Sequence, residues 1–221
     1  MSEGPKGARG FPERRVLEGR FGRLEPLDVA RHAESLWQAV KGADAMWTYL
    51  AYGPFTEEAS FRAWLRGRQV LTDPLYYAVV DGRSGRALGC VTLMRIDQQN
   101  GVIETGHIFF SPALQRTPLA TEAVFLEGRH VFDDLGYRRF EWKCDNANEP
   151  SRRAAGRFGF VFEGVFRQHL IVKGRNRDTA WFSIIDREWP ARREAFERFL
   201  SPDNFDAQGR QKVSLSSLNR V

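Results

Sequence analysis

The sequence predicts one mixed α/β domain in which an antiparallel sheet leads into a parallel strand. Residues 75–110 contain three runs of strand-like apolar residues separated by short turns, which is typical of an antiparallel meander. A helical repeat then covers 119–135, and a short apolar strand covers 139–144. A strand, a helix and a strand in this order are typical of a parallel crossover. The predicted class is therefore α/β, more closely α+β, with a mixed, mostly antiparallel central sheet flanked by helices.

Composition limits the class of protein. Of the 221 residues, 42% are apolar, so the chain has enough apolar surface for one core and is not a disordered chain. The apolar runs at 75–80 and 181–185 are far shorter than the roughly 20 residues that cross a bilayer. The N-terminus lacks the apolar stretch of a secretory signal. We therefore expect a cytoplasmic protein without membrane association.

Charge and cysteine content exclude further classes. The 33 Lys and Arg residues outnumber the 28 Asp and Glu residues, which gives a net charge of +5. This charge suits an anionic ligand, but it is spread along the chain, so nucleic acid is not the expected partner. Cys90 and Cys144 lie in strand-like runs, and the single disulfide that two cysteines could form would not stabilise a chain of this length as disulfides stabilise small secreted domains. Both are expected to be reduced and buried.

The N-terminal third predicts a strand and two helices before the meander begins. Asp28 is a helix N-cap, because apolar residues repeat at spacings of three and four after it and Gly42 follows them. The predicted elements are a polar, mobile leader over 1–13, a strand over 14–24 ended by Pro26, a helix from Asp28 to Gly42, and a second helix after Thr56.

The C-terminal half predicts two further helices around a long hairpin. The helix over 119–135 is closed by Gly136, because glycine is the common residue just past a helix end. The later predicted elements are a helix from Ser151 to Gly159, strands over 161–172 and 179–185, a helix over 189–200, and a polar tail over 201–221. One domain over 14–200 is therefore expected between a leader and a tail.

Two blocks of residues carry a family resemblance. The first block keeps Glu104, Gly106, Gln115 and Ala120, followed by Thr-Glu-Ala at 121–123. It resembles motif A of the GNAT superfamily of acyl-CoA N-acetyltransferases, and most closely the branch of the ribosomal-protein-alanine N-acetyltransferases. The second block has the branch's Asn-x-x-Ser at Asn148 and Ser151, then Ala155, Gly159-Phe160 and Glu163-Gly164 in the same order and spacing. The resemblance covers roughly residues 14–200 and implies a GNAT fold whose sheet is splayed at the acetyl-CoA site.

The loop before the predicted helix at Leu119 is a candidate phosphate site. Unpaired N–H groups and the positive end of a helix dipole suit the pyrophosphate of coenzyme A. Arg116 and Pro118 replace glycines of the family pattern; Pro118 removes one N–H donor, and Arg116 supplies a charged substitute. The alternative is a plain capped helix after a strand. The residues implied for acetyl-CoA binding are Phe109, Phe110, Gln115, Arg116, Thr117, Leu119, Ala120, Thr121 and Asn148.

Glu104 and Ser151 are the candidate catalytic residues. A carboxylate within an apolar strand is costly unless it is paired, hydrated or used, and the resemblance implies that Glu104 is a general base. The alternative is an edge-strand glutamate paired with an arginine. The resemblance implies that Asn148 bonds the pantetheine arm and that the Ser151 hydroxyl lies near the thioester sulfur. The alternatives are a turn at Asn148 and a helix cap at Ser151.

The remaining reactive side chains predict no further chemistry. His107 follows Glu104 by three, which on a regular strand places the two on opposite faces, so His107 is expected to be structural. No Cys, His and Asp spacing fits a metal site, and no metal is expected. Cys144 has no accompanying histidine in the sequence and is expected to be a small buried residue rather than a nucleophile.

The sequence as a whole predicts an N-acetyltransferase that uses acetyl-CoA as cosubstrate. The expected acceptor is a primary amine, in first place a protein or peptide N-terminus. Two alternatives stay open: a small-molecule amine such as a polyamine or an antibiotic, and a non-catalytic module that binds CoA or RNA. The sequence also leaves a homodimer open.

Overall fold

The computed structural model describes residues 10–219 of the chain. The predicted leader falls largely on residues 1–9, which lie outside the described part. Residues 10–13 lie against the domain, because Tyr137 and Tyr77 donate their hydroxyl hydrogens to the carbonyl oxygens of Gly10 and Glu13. The strands are β1 Leu17–Glu18, β2 Gly22–Pro26, β3 Leu75–Asp81, β4 Ala87–Asp97, β5 Val102–Phe110, β6 Arg139–Asp145, β7 Val161–Val172 and β8 Arg175–Ile185. The α-helices are α1 Val29–Val40, α2 Glu58–Gln69, α3 Pro118–Arg129, α4 Glu149–Arg157, α5 Trp189–Leu200 and α6 Leu215–Leu218.

The eight strands form one sheet in the order β1-β2-β3-β4-β5-β6-β8-β7. The pairs are antiparallel except for β5 and β6, which are parallel and are joined through α3. The predicted meander and the predicted parallel crossover are both confirmed. The fold class is mixed α/β with a mostly antiparallel sheet.

The sheet separates two apolar cores. Helices α1 and α2 cover one face, where Leu36, Phe61 and Phe109 are buried together. Helices α3 and α5 cover the other face, where Val124 and Phe196 pack with the inward side chains of the central strands. The strands therefore bury side chains on both faces, which explains the nearly continuous apolar character of β3.

Several predicted boundaries are confirmed and others differ. The single strand predicted over 14–24 is two short antiparallel strands, β1 and β2, and Pro26 is the last residue of β2. A turn separates them because the Glu122 carboxylate holds the backbone amides of residues 20–22. Asp28 caps α1 by accepting the amide hydrogens of Ala30 and Arg31. The long helix is α3 followed by a π-helical turn over His130–Asp134, so the predicted α-helical repeat does not continue to residue 135 as one α-helix. Strand β8 begins at Arg175 rather than at 179, because its polar first residues are held by pairing with the end of β7.

The segment after α5 packs on the domain. A 3-10 turn over Pro202–Asn204 follows α5, and Leu215 of α6 is completely buried. The Asn204 side chain donates to the carbonyl oxygens of Phe199 and Val213. These contacts give the polar segment a fixed path that its lack of periodicity does not predict. Across residues 10–219, no helix is long and apolar enough to cross a membrane.

Candidate active site

The central feature of the site is the point where β5 and β6 separate. The parallel pairing runs from Val102 and Arg139 to Thr105 and Trp142 and then ends. Strand β6 continues to Asp145 in its pairing with β8, whereas β5 continues with β4 alone. From Gly106 onwards, the edge of β5 that faces β6 has no strand partner in the described chain. A cleft of about 300 Å³ lies there.

The cleft brings together Glu104, Asn148 and Ser151, three of the residues singled out from the sequence. Its other walls come from the segment after α1, which includes Tyr49, and from the β7–β8 hairpin, which includes Arg177. The remaining candidate residues, 109–121, do not line this cleft. They belong to the end of β5, the loop that follows and the first turns of α3.

A β-bulge in β5 decides which side chains face the cleft. The register with β4 shifts between Cys90 and Thr92, and His107 adopts a φ of 45°, in the left-handed region. His107 lies in the cleft beside Glu104 and stacks on Tyr76, at 5.7 Å between ring centroids. The prediction that His107 and Glu104 lie on opposite faces is therefore wrong, because a bulge inserts one residue into the alternation.

His107 is a neutral imidazole in this setting. Burial, together with the nearby guanidinium groups of Arg68, Arg95 and Arg177, lowers the pKa of His107 from 6.5 to about 4. Tyr52 packs against the ring as well, at 5.6 Å between centroids. His107 thus contributes a flat, uncharged wall to the cleft.

Glu104 is buried and belongs to a chain of alternating charges. Only 4% of the residue is exposed. Its Oε2 atom lies 2.9 Å from a guanidinium nitrogen of Arg95 and 2.9 Å from Nζ of Lys143. Lys143 also lies 2.7 Å from Oε2 of Glu141, and its Nζ is 3.8 Å from the centroid of the Trp181 ring. Two cations therefore hold one carboxylate at the separation point of the strands.

Lys143 was not found by sequence reasoning, although β6 carries a signal for it. In Arg-Phe-Glu-Trp-Lys-Cys-Asp the charged residues alternate with apolar ones, so Glu141 and Lys143 share one face. Their closeness to Glu104 depends on the parallel register, in which Glu104 is paired with Glu141. Local alternation predicts the shared face, and only the pairing of distant strands brings that face to Glu104.

Gly106 has a steric reason to lack a side chain. A Cβ atom placed at residue 106 would overlap Sδ of Met94 and lie 3.4 Å from Oε1 of Glu104. Any other residue would therefore push against Met94 or against the carboxylate. Gly106 keeps the wall of the cleft thin beside Glu104.

The loop before α3 is closed by its own side chains. Thr117 is the N-cap of α3: its hydroxyl oxygen accepts the amide hydrogen of Ala120 at 3.2 Å, and its hydroxyl donates to the carbonyl of Leu114. Pro118 occupies the first position of α3, one residue earlier than predicted, where a missing N–H is tolerated. The amides of Arg116 and Leu119 donate to no other group of residues 10–219. These two N–H groups remain for a ligand.

The other loop candidates serve the loop and the core. Gln115 donates its side-chain amide to the carbonyl of Phe110 at 2.8 Å, which fixes the loop against β5. Phe109 is completely buried between the helices and the sheet. The Thr121 hydroxyl accepts a hydrogen from Arg157 of α4 at 3.0 Å. Arg116 adopts a φ of 62° and makes no side-chain hydrogen bond with the rest of residues 10–219.

Glu122 of the Thr-Glu-Ala motif has a structural role. Its carboxylate accepts the backbone N–H groups of Arg20, Phe21 and Gly22 at 2.6 to 3.0 Å. Burial raises the pKa of Glu122, and the three amide bonds act in the opposite direction. The motif's glutamate therefore fastens the β1–β2 turn to α3 and lies away from the cleft.

Asn148 and Ser151 lie at the start of α4, in the cleft. Asn148 is the helix N-cap, because its Oδ1 accepts the amide hydrogen of Ser151 at 3.2 Å. The capping alternative considered for Ser151 is wrong, since Ser151 lies inside the helix and its Oγ accepts from Nε1 of Trp142 at 3.1 Å. Burial raises the pKa of the Cys144 thiol, and a hydrogen bond with Ser151 opposes this shift. Cys90 and Cys144 are both free and buried, as expected.

No cluster of three or more metal-ligating side chains occurs among the residues that the structure describes. The side chains that line the cleft offer carboxylate, hydroxyl, amide, thiol, imidazole and cationic groups.

A family comparison decides the identity of the fold. A family model described as the acetyltransferase (GNAT) domain matches residues 23–161. The chain belongs to the GNAT family. The GNAT fold that the resemblance implied is confirmed, and so is the enzyme class: this is an N-acetyltransferase family, whose members use acetyl-CoA as the acetyl donor.

Known GNAT proteins share the sequence and the fold. A GCN5-related N-acetyltransferase from Brucella melitensis is 51% identical, with a TM-score of 0.94 over 97% of this chain and 98% of that one. A protein of Bacillus subtilis (strain 168), named "Putative ribosomal N-acetyltransferase YdaF", is 27% identical over 75% of this chain and 90% of its own length. A Salmonella typhimurium acetyltransferase shares the fold, with a TM-score of 0.67 at 20% identity over 77% of this chain and 99% of that one.

Proposed function

We propose that this enzyme transfers the acetyl group of acetyl-CoA directly to a primary amine at the N-terminus of a protein or peptide. The observation that carries the proposal is the buried carboxylate of Glu104 in the cleft where β5 and β6 separate, a cleft that Asn148 and Ser151 also line. The acceptor is supported by the ribosomal assignment in the name of YdaF. It is supported too by the Salmonella enzyme, which modifies the N-terminal serine of the ribosomal protein L7/L12.

The residues around the cleft fit acetyl-CoA. The unpaired amides of Arg116 and Leu119, at the positive end of α3, suit a pyrophosphate, and the Arg116 guanidinium adds a positive charge. The unpartnered edge of β5 offers backbone groups to an extended arm, and Asn148 still has an amide donor after capping α4. Acetyl-CoA, when bound, supplies an activated acetyl thioester.

Glu104 removes the proton from the attacking ammonium, directly or through one water. Arg95 and Lys143 hold the carboxylate in place, so no reorganisation of the base is needed. Backbone N–H groups on the unpartnered edge of β5, which runs from the cleft to Phe109 and Phe110, stabilise the negative charge that develops on the carbonyl oxygen. The amine nitrogen bonds to the thioester carbonyl carbon and the C–S bond breaks. The Ser151 hydroxyl supplies a proton to the departing thiolate and regains one from the nitrogen that becomes the amide.

The decisive experiment compares two glutamates that share one lysine. Glu104→Gln should keep acetyl-CoA binding and lower turnover about a hundred- to ten-thousandfold, with a smaller loss at high pH, where free amine is abundant. Glu141→Gln is the matched control, because Glu141 also contacts Lys143 but does not line the cleft. It should retain most of the turnover. Equal losses in both variants would show that Glu104 acts only by holding Lys143.

Acceptor class is tested by measuring acetyl-CoA turnover with peptide N-termini, polyamines and amine-bearing antibiotics. Peptide turnover supports the proposal, and turnover of polyamines or antibiotics alone would assign a small-molecule enzyme.

Binding of acetyl-CoA should raise the unfolding free energy by about 2.7 kcal/mol at a hundredfold excess over its Kd. Stabilisation by acetyl-CoA without turnover of any amine would indicate a non-catalytic CoA-binding module.

A further inference from the structure

The charges that line the cleft do not cancel. The charged lining residues are Arg95, Glu104, Lys143, Asp145 and Arg177. Arg95 and Lys143 are both paired with Glu104, and Lys143 is also paired with Glu141. Asp145 accepts the amide hydrogen of Ala147 in the turn before α4. Arg177 has no acidic partner at salt-bridge distance among residues 10–219.

Arg177 is held in the cleft by the β7–β8 hairpin. It lies opposite Leu170 in the antiparallel register, and both residues line the cleft. Its Nε atom is buried and has no hydrogen-bond partner in the described chain. The adjacent carboxylate of Asp178 is engaged elsewhere, with the amide of Gln168 and the side chain of Asn176.

A half-buried guanidinium without an acceptor is unfavourable unless a ligand supplies one. Arginine presents its N–H groups in a planar fork that matches a carboxylate, so an anionic ligand would satisfy both the charge and the geometry. Arg177 and His107 line the same cleft, and the charge of Arg177 contributes to the lowered pKa of His107, after burial, Arg68 and Arg95. A cationic acceptor such as a polyamine would meet this field unfavourably.

We infer that the acceptor carries an anionic group of the carboxylate class close to its reactive amine, and that Arg177 binds this group. The inference rests on the proposed function, because it places the amine at Glu104. One cleft of about 300 Å³ contains both Glu104 and Arg177, so the amine and the anion belong to one short stretch of the acceptor. Two sources offer this chemistry: an acidic side chain near a peptide N-terminus, and the carboxylate of a small amino acid.

The test uses the full chain with acetyl-CoA and three peptides that differ only in Asp, Asn or Lys at the second position. We expect kcat/KM to be at least about tenfold higher for the Asp peptide than for the Asn peptide, and lowest for the Lys peptide. Free glutamate and glutamate diamide, in which both carboxylates are replaced by amides, are assayed in parallel and distinguish the small-molecule source from the peptide source. The preference should weaken at high salt.

Arg177→Gln should remove the preference by raising KM for the Asp peptide about tenfold, with kcat and the Kd of acetyl-CoA unchanged. Arg175→Gln is the matched control, because Arg175 lies two residues earlier on the same strand, exposed and outside the cleft lining. It should retain the preference. A parent enzyme that favours Asn or Lys peptides, or a preference that survives in Arg177→Gln, would overturn the inference.

Two further outcomes separate this inference from the proposed function. Weaker acetyl-CoA binding in Arg177→Gln would show that the guanidinium binds the acetyl donor. This result would overturn the inference and leave the proposed function intact. If no amine is acetylated, calorimetric binding of the Asp peptide still decides: binding that depends on Arg177 would support the anion site while the proposed reaction fails. Equal binding of the three peptides would overturn both.

Discussion

His107 should contribute to a pH dependence of the stability of the fold, and His107→Asn should remove that contribution. The residue has a φ of 45° in the β5 bulge, and asparagine tolerates this region better than most residues while carrying no titratable group. Burial holds the pKa of His107 at about 4 instead of 6.5, so the native protein binds fewer protons than the unfolded chain between these values. The contribution of the neutral His107 to the free energy of unfolding is therefore retained above pH 6.5 and is lost as the pH falls towards 4.

The size of the effect follows from the same two values. A pH of 5 lies about 1.5 units below the unfolded pKa of 6.5, so the imidazole is mostly charged in the unfolded chain. In the native protein, where the pKa is about 4, the imidazole is mostly neutral. At 1.36 kcal/mol per unit, His107 alone should cost about 2 kcal/mol between pH 8 and pH 5. His32 and His130, whose pKa values are also lowered by burial, add to the total in the parent and in the variant alike.

The assay is urea unfolding of the parent and of His107→Asn at pH 8, 7, 6 and 5. The cavity left by asparagine lowers the free energy of unfolding by a similar amount at every pH, so it cancels when each protein is compared with itself. The loss from pH 8 to pH 5 should be about 2 kcal/mol smaller in the variant. An identical loss in both proteins would show that His107 titrates in the folded state as it does in water, which would refute its burial against Tyr76.

Four further predictions test the motifs. Glu122→Ala should lower the free energy of unfolding by about 3 kcal/mol, measured in urea, because three backbone amides, one buried and two partly buried, lose their acceptor. Glu122→Gln keeps one oxygen and should lower it less. Arg116→Gly should leave the free energy of unfolding unchanged or raise it, because glycine adopts a φ of 62° without strain. The same variant should weaken acetyl-CoA binding several-fold at low salt. Unchanged binding, measured by calorimetry, would show that the guanidinium points into solvent. Asn148→Asp keeps the cap acceptor of α4 and should still weaken acetyl-CoA binding, whereas Asn148→Ala should also lower the Tm; an aspartate variant that binds like the parent would limit Asn148 to capping. Ser151→Ala should lower kcat with little change in acetyl-CoA Kd, and an unchanged kcat would remove its role as a proton donor.

Helices, strands and helix caps can be predicted from the sequence because they depend on residues only a few positions apart. The cap at Asp28, the strand β5 over 102–110 and the helix α5 over 189–200 follow from periodicity and from turn residues, which act within a few positions. The order of strand, helix and strand was enough to predict the parallel pair of β5 and β6, because the handedness and reach of a crossover allow few alternatives. The family motifs pointed to Glu104 and Asn148, and the structure places both in one cleft.

Only the tertiary structure decided what surrounds Glu104. The bulge at His107 reversed the face that alternation predicts, since one inserted residue shifts all later side chains and nothing local marks it. Lys143 reaches Glu104 through the register of two strands that are separated by a whole helix. Arg177 enters the cleft from a hairpin further along the chain. The sequence by itself determined the elements and the family, whereas the charges of the site depend on contacts between distant segments, which no local pattern encodes.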